Sequence, residues 1–139
     1  MLVRAAIFGA SLLYAATICA SETTSNLALD TLSAGQVFEI RTVDRVLRCE
    51  LVDPATGEST VRASRDGEHF GVGRRVFLLG ATNGQQPNSG GLSLVIMHEI
   101  REGMRVEIGL GSLDADDRRV TSPVRAIKLL PGNDAVASR

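Results

Sequence analysis

Three features of this sequence predict an all-β domain. Residues 45–52 alternate, with Leu47, Cys49 and Leu51 on one side and Arg48 and Glu50 on the other, the two-residue period of a half-buried strand. Turn residues, among them Asp53-Pro54-Ala55-Thr56-Gly57 and Asp66-Gly67, punctuate the chain every ~8–12 residues. Beyond residue 20, no stretch sustains apolar residues at helical spacing. The expectation is a small single-domain β-barrel or sandwich of about six to seven antiparallel strands, preceded by a cleavable N-terminal helix.

The chain has 139 residues, enough for one domain of ordinary size. Residues 1–20 read as a signal peptide. A short basic start ends at Arg4, residues 5–20 carry no charge, and Cys19, Ala20 and Ser21 bring small residues before the chain turns polar. The uncharged run is short for a bilayer span, so no integral membrane span is expected after its removal. An uncleaved anchor, or a misassigned start on a cytosolic protein, are the other readings of this segment. The organisation expected is a signal peptide over 1–20, a flexible lead-in over 21–33, an all-β domain over 34–130 and a disordered tail over 131–139.

Within the domain, residues 36–42 place Phe38 and Ile40 on one face and Glu39 and Arg41 on the other. Val43-Asp44 then turns the chain into the alternating strand 45–52. A third strand, Glu58–Ser64, is mostly polar and reads as an edge. Residues 74–81 form a fourth, apolar strand. Residues 92–110 read as a hairpin turning at Arg101-Glu102-Gly103. Its first arm is apolar on both faces and therefore central. Its second puts Met104, Val106, Ile108 and Leu110 on one face. Residues 119–130 close the domain, with Pro123 marking a strand edge or bulge. The stretches 82–91 and 111–118 are surface loops.

Composition removes several function classes. Loss of residues 1–20 takes Arg4 and moves the formal charge from −1 to −2, which gives no general attraction to nucleic acid or anionic lipid. Phe38, Phe70 and Phe77 are the only aromatic residues beyond the leader. The core needs them, which leaves none for a base-stacking platform. Of the basic residues, only Lys128 is lysine, a pattern attributed to base composition. With Cys19 removed, Cys49 has no intramolecular partner and is expected as a buried thiol, an intermolecular disulfide being the alternative.

Candidate chemistry is thin. His69 and His98 lack the paired spacing of metal ligands. A metal-dependent enzyme would need both to converge with a carboxylate such as Glu68 or Asp114. His98 is expected on a strand, bonded to a backbone group, and His69 in a solvated turn. Asp114-Ala115-Asp116-Asp117 lacks the sixth-position glycine and twelfth-position acid of a calcium loop. Gly109-Leu110-Gly111-Ser112-Leu113 is not a nucleophile elbow. The loop 82–91 lacks the Gly-Lys-Ser/Thr ending of a phosphate-binding loop. No catalytic residue, metal or cofactor is therefore assigned.

Arg41-Thr42-Val43-Asp44-Arg45 has the Arg-x-x-x-Arg spacing of PilZ domains, small β-barrels that bind cyclic di-GMP. Asp66-Gly67-Glu68-His69-Phe70-Gly71 is similar to that family's Asp/Asn-x-Ser-x-x-Gly motif, with Glu68 where serine is expected. Residues 90–129 resemble the strand order that follows it. The resemblance implies that Arg41 and Arg45 grip phosphates through bidentate contacts, that Asp66 and Gly71 complete a nucleotide site, and that the protein is cytosolic. The reading the residues favour is different. It is a secreted or periplasmic, non-catalytic β-domain, a binding or structural module of the cell envelope. It would meet a protein partner, or another copy of itself, through the strand edge Glu58–Ser64 and the loops 82–91 and 111–118.

Overall fold

The structure, a computed structural model, describes residues 21–84 and 95–131. The expected leader helix, residues 85–91 of the loop 82–91, residues 92–94 of the expected hairpin and all but the first residue of the tail lie outside the described residues. The described chain is built from eleven short strands and two 3-10 turns. The strands are β1 (Glu22–Thr24), β2 (Asn26–Ala28), β3 (Val37–Thr42), β4 (Val46–Asp53), β5 (Glu58–Ser64), β6 (Arg74–Thr82), β7 (Val95–Met97), β8 (Glu99–Arg101), β9 (Arg105–Gly109), β10 (Arg118–Val120) and β11 (Val124–Leu129). The all-β expectation holds, and all pairings are antiparallel. Among the described residues no helix is long and apolar enough to cross a membrane.

The main sheet runs β1-β11-β3-β4-β5-β6-β9-β10, with β7 also paired to β6, and β2 and β8 form a second, two-stranded sheet. The ladder does not close into a barrel. It is rolled, because β10 and β11, near opposite ends of the path, are separated by only Thr121, Ser122 and Pro123. This strap first follows β9, where Thr121 N–H bonds Val106 O and Val124 N–H bonds Met104 O. It then crosses to β3, where Val43 N–H bonds Pro123 O. Pro123 sits in the break that the sequence marks for it, since proline cannot donate to a ladder.

Inside the roll, alternation puts Phe38, Ile40, Leu47, Cys49, Leu51, Leu78, Val106 and Ile127 together in one apolar core. Leu27, Leu29 and Ile100 join it from the small sheet and the turn after β2. Burial of this kind is worth ~25 cal/mol per Å² of apolar surface removed from water.

Four expectations are corrected. Residues 21–33 are not a flexible lead-in: β1 pairs with β11, β2 pairs with β8, and Leu27 and Leu29 are buried. Leu27 and Leu29 in the core, Leu32 packed against it and the two strand pairings tie this polar stretch to the domain. Strand β5 is not an edge, because it lies between β4 and β6. Its polar residues report a water-facing side of an antiparallel sheet, not a position at its border.

The described part of the expected hairpin 92–110, residues 95–110, does not pair as a two-arm ladder. His98, at φ 62, breaks the apolar run, so β7 pairs with β6 while β8 leaves for β2. Its N–H bonds Leu79 O and its carbonyl accepts from Leu29 N–H, which fixes the residue in the left-handed region that histidine enters more readily than most. The central strand is instead β6. It pairs with β9 along one side and with β5 and then β7 along the other. Gly80 permits this crowding: a β-carbon there would collide with the Ile96 carbonyl. Finally, His98 is not wholly satisfied by the backbone. Its Nδ1 is buried without a partner among the described residues.

Candidate functional site: the seam beside β10

Where the strap leaves β9 for β3, the roll splays open. The result is a groove of about 310 Å³ between β10 and the β3–β4 turn. Arg119, Val120, Thr121 and Ser122 form one wall, Thr42, Asp44 and Arg45 the other, and Leu47 and Ile108 line it as well. Local chemistry shapes the β3–β4 wall. Thr42 N–H bonds Arg45 O across the tight turn. The Thr42 hydroxyl accepts from Arg45 N–H at 3.1 Å and approaches Asp44 Oδ1 at 3.2 Å. Ser122 Oγ donates to the same Asp44 oxygen at 2.7 Å, joining residues 78 apart in the chain. The Ser122 hydrogen bond above all, with help from Thr42 and the Arg45 charge, holds the Asp44 carboxyl below its ordinary value against a smaller opposing desolvation. Asp44 is thus a clasp that ties the strap to the hairpin.

The opposite wall is an open strand edge. Leu110 N–H bonds Asp117 O and Thr121 N–H bonds Val106 O. With Arg119 opposite Ile108, the hydrogen-bonded pairs of this ladder therefore fall on Asp117, Arg119 and Thr121. The backbone N–H and C=O groups of Arg118 and Val120 point away from β9; Val120 lines the groove, and the Arg118 carbonyl accepts from the Arg119 guanidinium at 2.8 Å. All three residues of β10 are exposed. Val120, at 46 % exposure, is the exposed apolar residue of this edge, and the buried Leu47 and Ile108 also line the groove.

The charges of the groove lean positive. Among the described residues neither Arg45 nor Arg119 forms an ion pair, although the Arg45 charge acts on the neighbouring Asp44 carboxylate. Arg119 donates only to the carbonyls of Asp116 and Arg118, and Arg118 reaches Glu107 at a loose 3.7 Å.

The residues singled out from the sequence are placed elsewhere, or are divided. Arg41 lies on the outer face of the sheet, its guanidinium beside Gly67, whereas Arg45 lines the seam. The two arginines of the PilZ-like spacing therefore do not line one groove. The Asp66 loop folds over the outside of β4 and β5, with Gly71 N–H bonded to Ala63 O and Arg48 stacked 4.1 Å over Phe70. Asp66, Glu68 and His69 could present ligand atoms within 4.8 Å of one another. Asp66 is already engaged, however. Its Oδ1 accepts from the N–H groups of Glu68 and His69 and from Ser64 Oγ, and its Oδ2 meets His69 Nδ1 at 2.7 Å. The backbone bond from His69 leads the causes that hold Asp66 well below the usual carboxylate range.

His98 and Asp114 do not join this group, so the convergence that a metal enzyme would need is not formed among the described residues. Cys49 is fully buried, and desolvation, aided by Glu39, pushes its thiol pKa up, far from the thiolate a nucleophile requires. In the loop 111–118, Ser112 Oγ bonds Asp117 Oδ2 at 2.6 Å and Arg118 bonds Leu113 O. This loop borders the seam by leading directly into β10.

Sequence reasoning missed the seam because its walls come from opposite ends of the domain. The one visible signal was Pro123, which marks where a strand must leave its ladder. No protein-family model matches this chain, and no curated protein or solved structure matches it.

Proposed function

We propose that this chain is an exported, non-catalytic β-domain of the cell envelope that binds another protein chain by strand pairing at the open edge of β10. The observation that carries the reading is the pair of backbone N–H groups of Arg118 and Val120 turned away from β9, beside a groove whose lining includes Leu47, Ile108 and Val120. A strand added there gains main-chain hydrogen bonds for affinity and side-chain contacts for selectivity. The edge expected at Glu58–Ser64 is replaced in this reading by β10; the loop 111–118 keeps its place beside it. The non-catalytic part is supported by the sealed Cys49 thiol, by the engagement of Asp66 within its own loop, and by the separation of His98 from Asp66, Glu68 and His69. Export rests on the uncharged leader of residues 5–20.

Two measurements on the native protein test the reading. Mass spectrometry of its N-terminus is expected to find a start near Ser21, and an intact Met1 would contradict export. A photo-crosslinking residue at position 120 is expected to give one defined adduct in cells, identified by peptide sequencing. The same residue at Arg62, on the outer side of β5, is expected to give none. Equal labelling from both positions would contradict the edge as the binding surface.

A further inference from the structure

We propose that the seam takes an extended acidic segment of a partner protein, which adds to β10 as a further strand and sets its carboxylates against Arg45 and Arg119. The inference rests on the strand-pairing reading above and adds to it the chemistry of the partner.

Charge complementarity selects this occupant. The groove presents two guanidinium groups, Arg45 and Arg119, that form no ion pair among the described residues, and Arg118 lies on the same edge. The single acid of the lining, Asp44, is turned into the clasp with Ser122 and Thr42. Arginine presents planar paired donors that match a carboxylate, and a charge-assisted bond of that kind is about twice as strong as a neutral one.

The same arginines argue against a second copy of this chain. Two β10 edges paired antiparallel about Arg118 or Arg119 would place identical guanidinium groups directly opposite each other, which is unfavourable. An acidic strand removes that repulsion. The parity of the edge adds a further constraint. Arg119 shares a sheet face with Ile108, so an incoming strand must alternate acidic with apolar residues. One set meets Arg119 and Arg45, and the other meets Val120. At ~3.3 Å per residue, the three residues of β10 match a short segment, consistent with the groove's modest volume.

The test uses the purified full chain and three short synthetic peptides, followed by fluorescence anisotropy. One peptide alternates Glu with Val, one alternates Lys with Val, and one is the Glu peptide with alternate backbone nitrogens methylated. The Glu peptide is expected to bind at least about tenfold more tightly than the Lys peptide, with an affinity that falls as salt rises. Arg119→Glu is expected to lower its affinity about tenfold or more. Val120→Pro, which removes an outward N–H and leaves the β9 ladder intact, is expected to lower it by a similar factor, as is methylation of the peptide. Unchanged circular dichroism of both variants shows that they fold.

Equal binding of the Lys and Glu peptides would overturn the acidic partner while leaving strand pairing in place. Glu-peptide binding that survives both Val120→Pro and methylation would overturn the added strand. Binding of none of the three would overturn the inference and the edge reading together. Concentration-dependent dimerisation abolished by Val120→Pro would replace the acidic partner with a second copy.

Discussion

Asp44 and Ser122 lie 78 residues apart in the chain, yet a 2.7 Å hydrogen bond between them helps the Val43–Pro123 backbone bond hold the strap to the β3–β4 hairpin. Because the folded carboxyl is held below the ordinary 3.8, its ionised form favours the clasped state. That contribution is complete at pH values above the ordinary range. It is lost as pH falls through the lowered folded value. Carboxyl NMR titration of Ser122→Ala is expected to move the Asp44 midpoint up toward 3.8, since the largest cause of the shift is gone. An unmoved midpoint would show that Ser122 does not set it. Cys49 illustrates the opposite situation, a side chain whose surroundings leave it no chemistry. The alternation of residues 45–52 placed it inward from sequence alone, and the fold seals it there.

At the scale of the strand, β5 and β10 make a controlled pair. In an interior strand every N–H points to one neighbour or the other, so proline at Val61, paired to both Cys49 and Arg74, must orphan a ladder carbonyl. Val61→Pro is expected to cost ~1–3 kcal/mol or more, from the lost bond and the unpaired group it leaves. Val120→Pro, whose N–H faces the groove, is expected to change stability by less than ~0.5 kcal/mol. Chemical denaturation of the two variants checks this, and the reverse order would contradict the topology.

The bounds of β5 were legible in the sequence, and its place in the sheet was not. Thr60 and Arg62 reported a wet face, and a wet face looks the same on an edge strand and on an interior one. The run 92–100 misled for a different reason. Hydrophobicity records burial without direction, and nothing in Met97-His98-Glu99 announces the left-handed residue that sends the chain from β6 to β2. Strands β3, β4 and β6 were readable within a residue or two because alternation and turn chemistry agreed there. The seam was hidden because it depends on which strands meet when the sheet rolls.

For the molecule as a whole, the roll decides which surfaces remain for recognition. The Asp66 loop lies against part of the outer face of β4 and β5, with Phe70 under Arg48. Arg41 is left on one side of the hairpin and Arg45 on the other. Calorimetry with cyclic di-GMP is therefore expected to show no binding heat, and a saturable isotherm lost in both Arg41→Ala and Arg45→Ala would restore the nucleotide reading. Of the two strands that end the path, β1 and β10, it is the side of β10 away from β9 that borders the groove, and that opening underlies the proposed function. Amide hydrogen exchange, followed residue by residue through the strap, tests it most directly. The account predicts fast exchange at Arg118 and Val120 and protection at Arg119 and Thr121. Uniform protection across these four residues, or the inverse alternation, would contradict it.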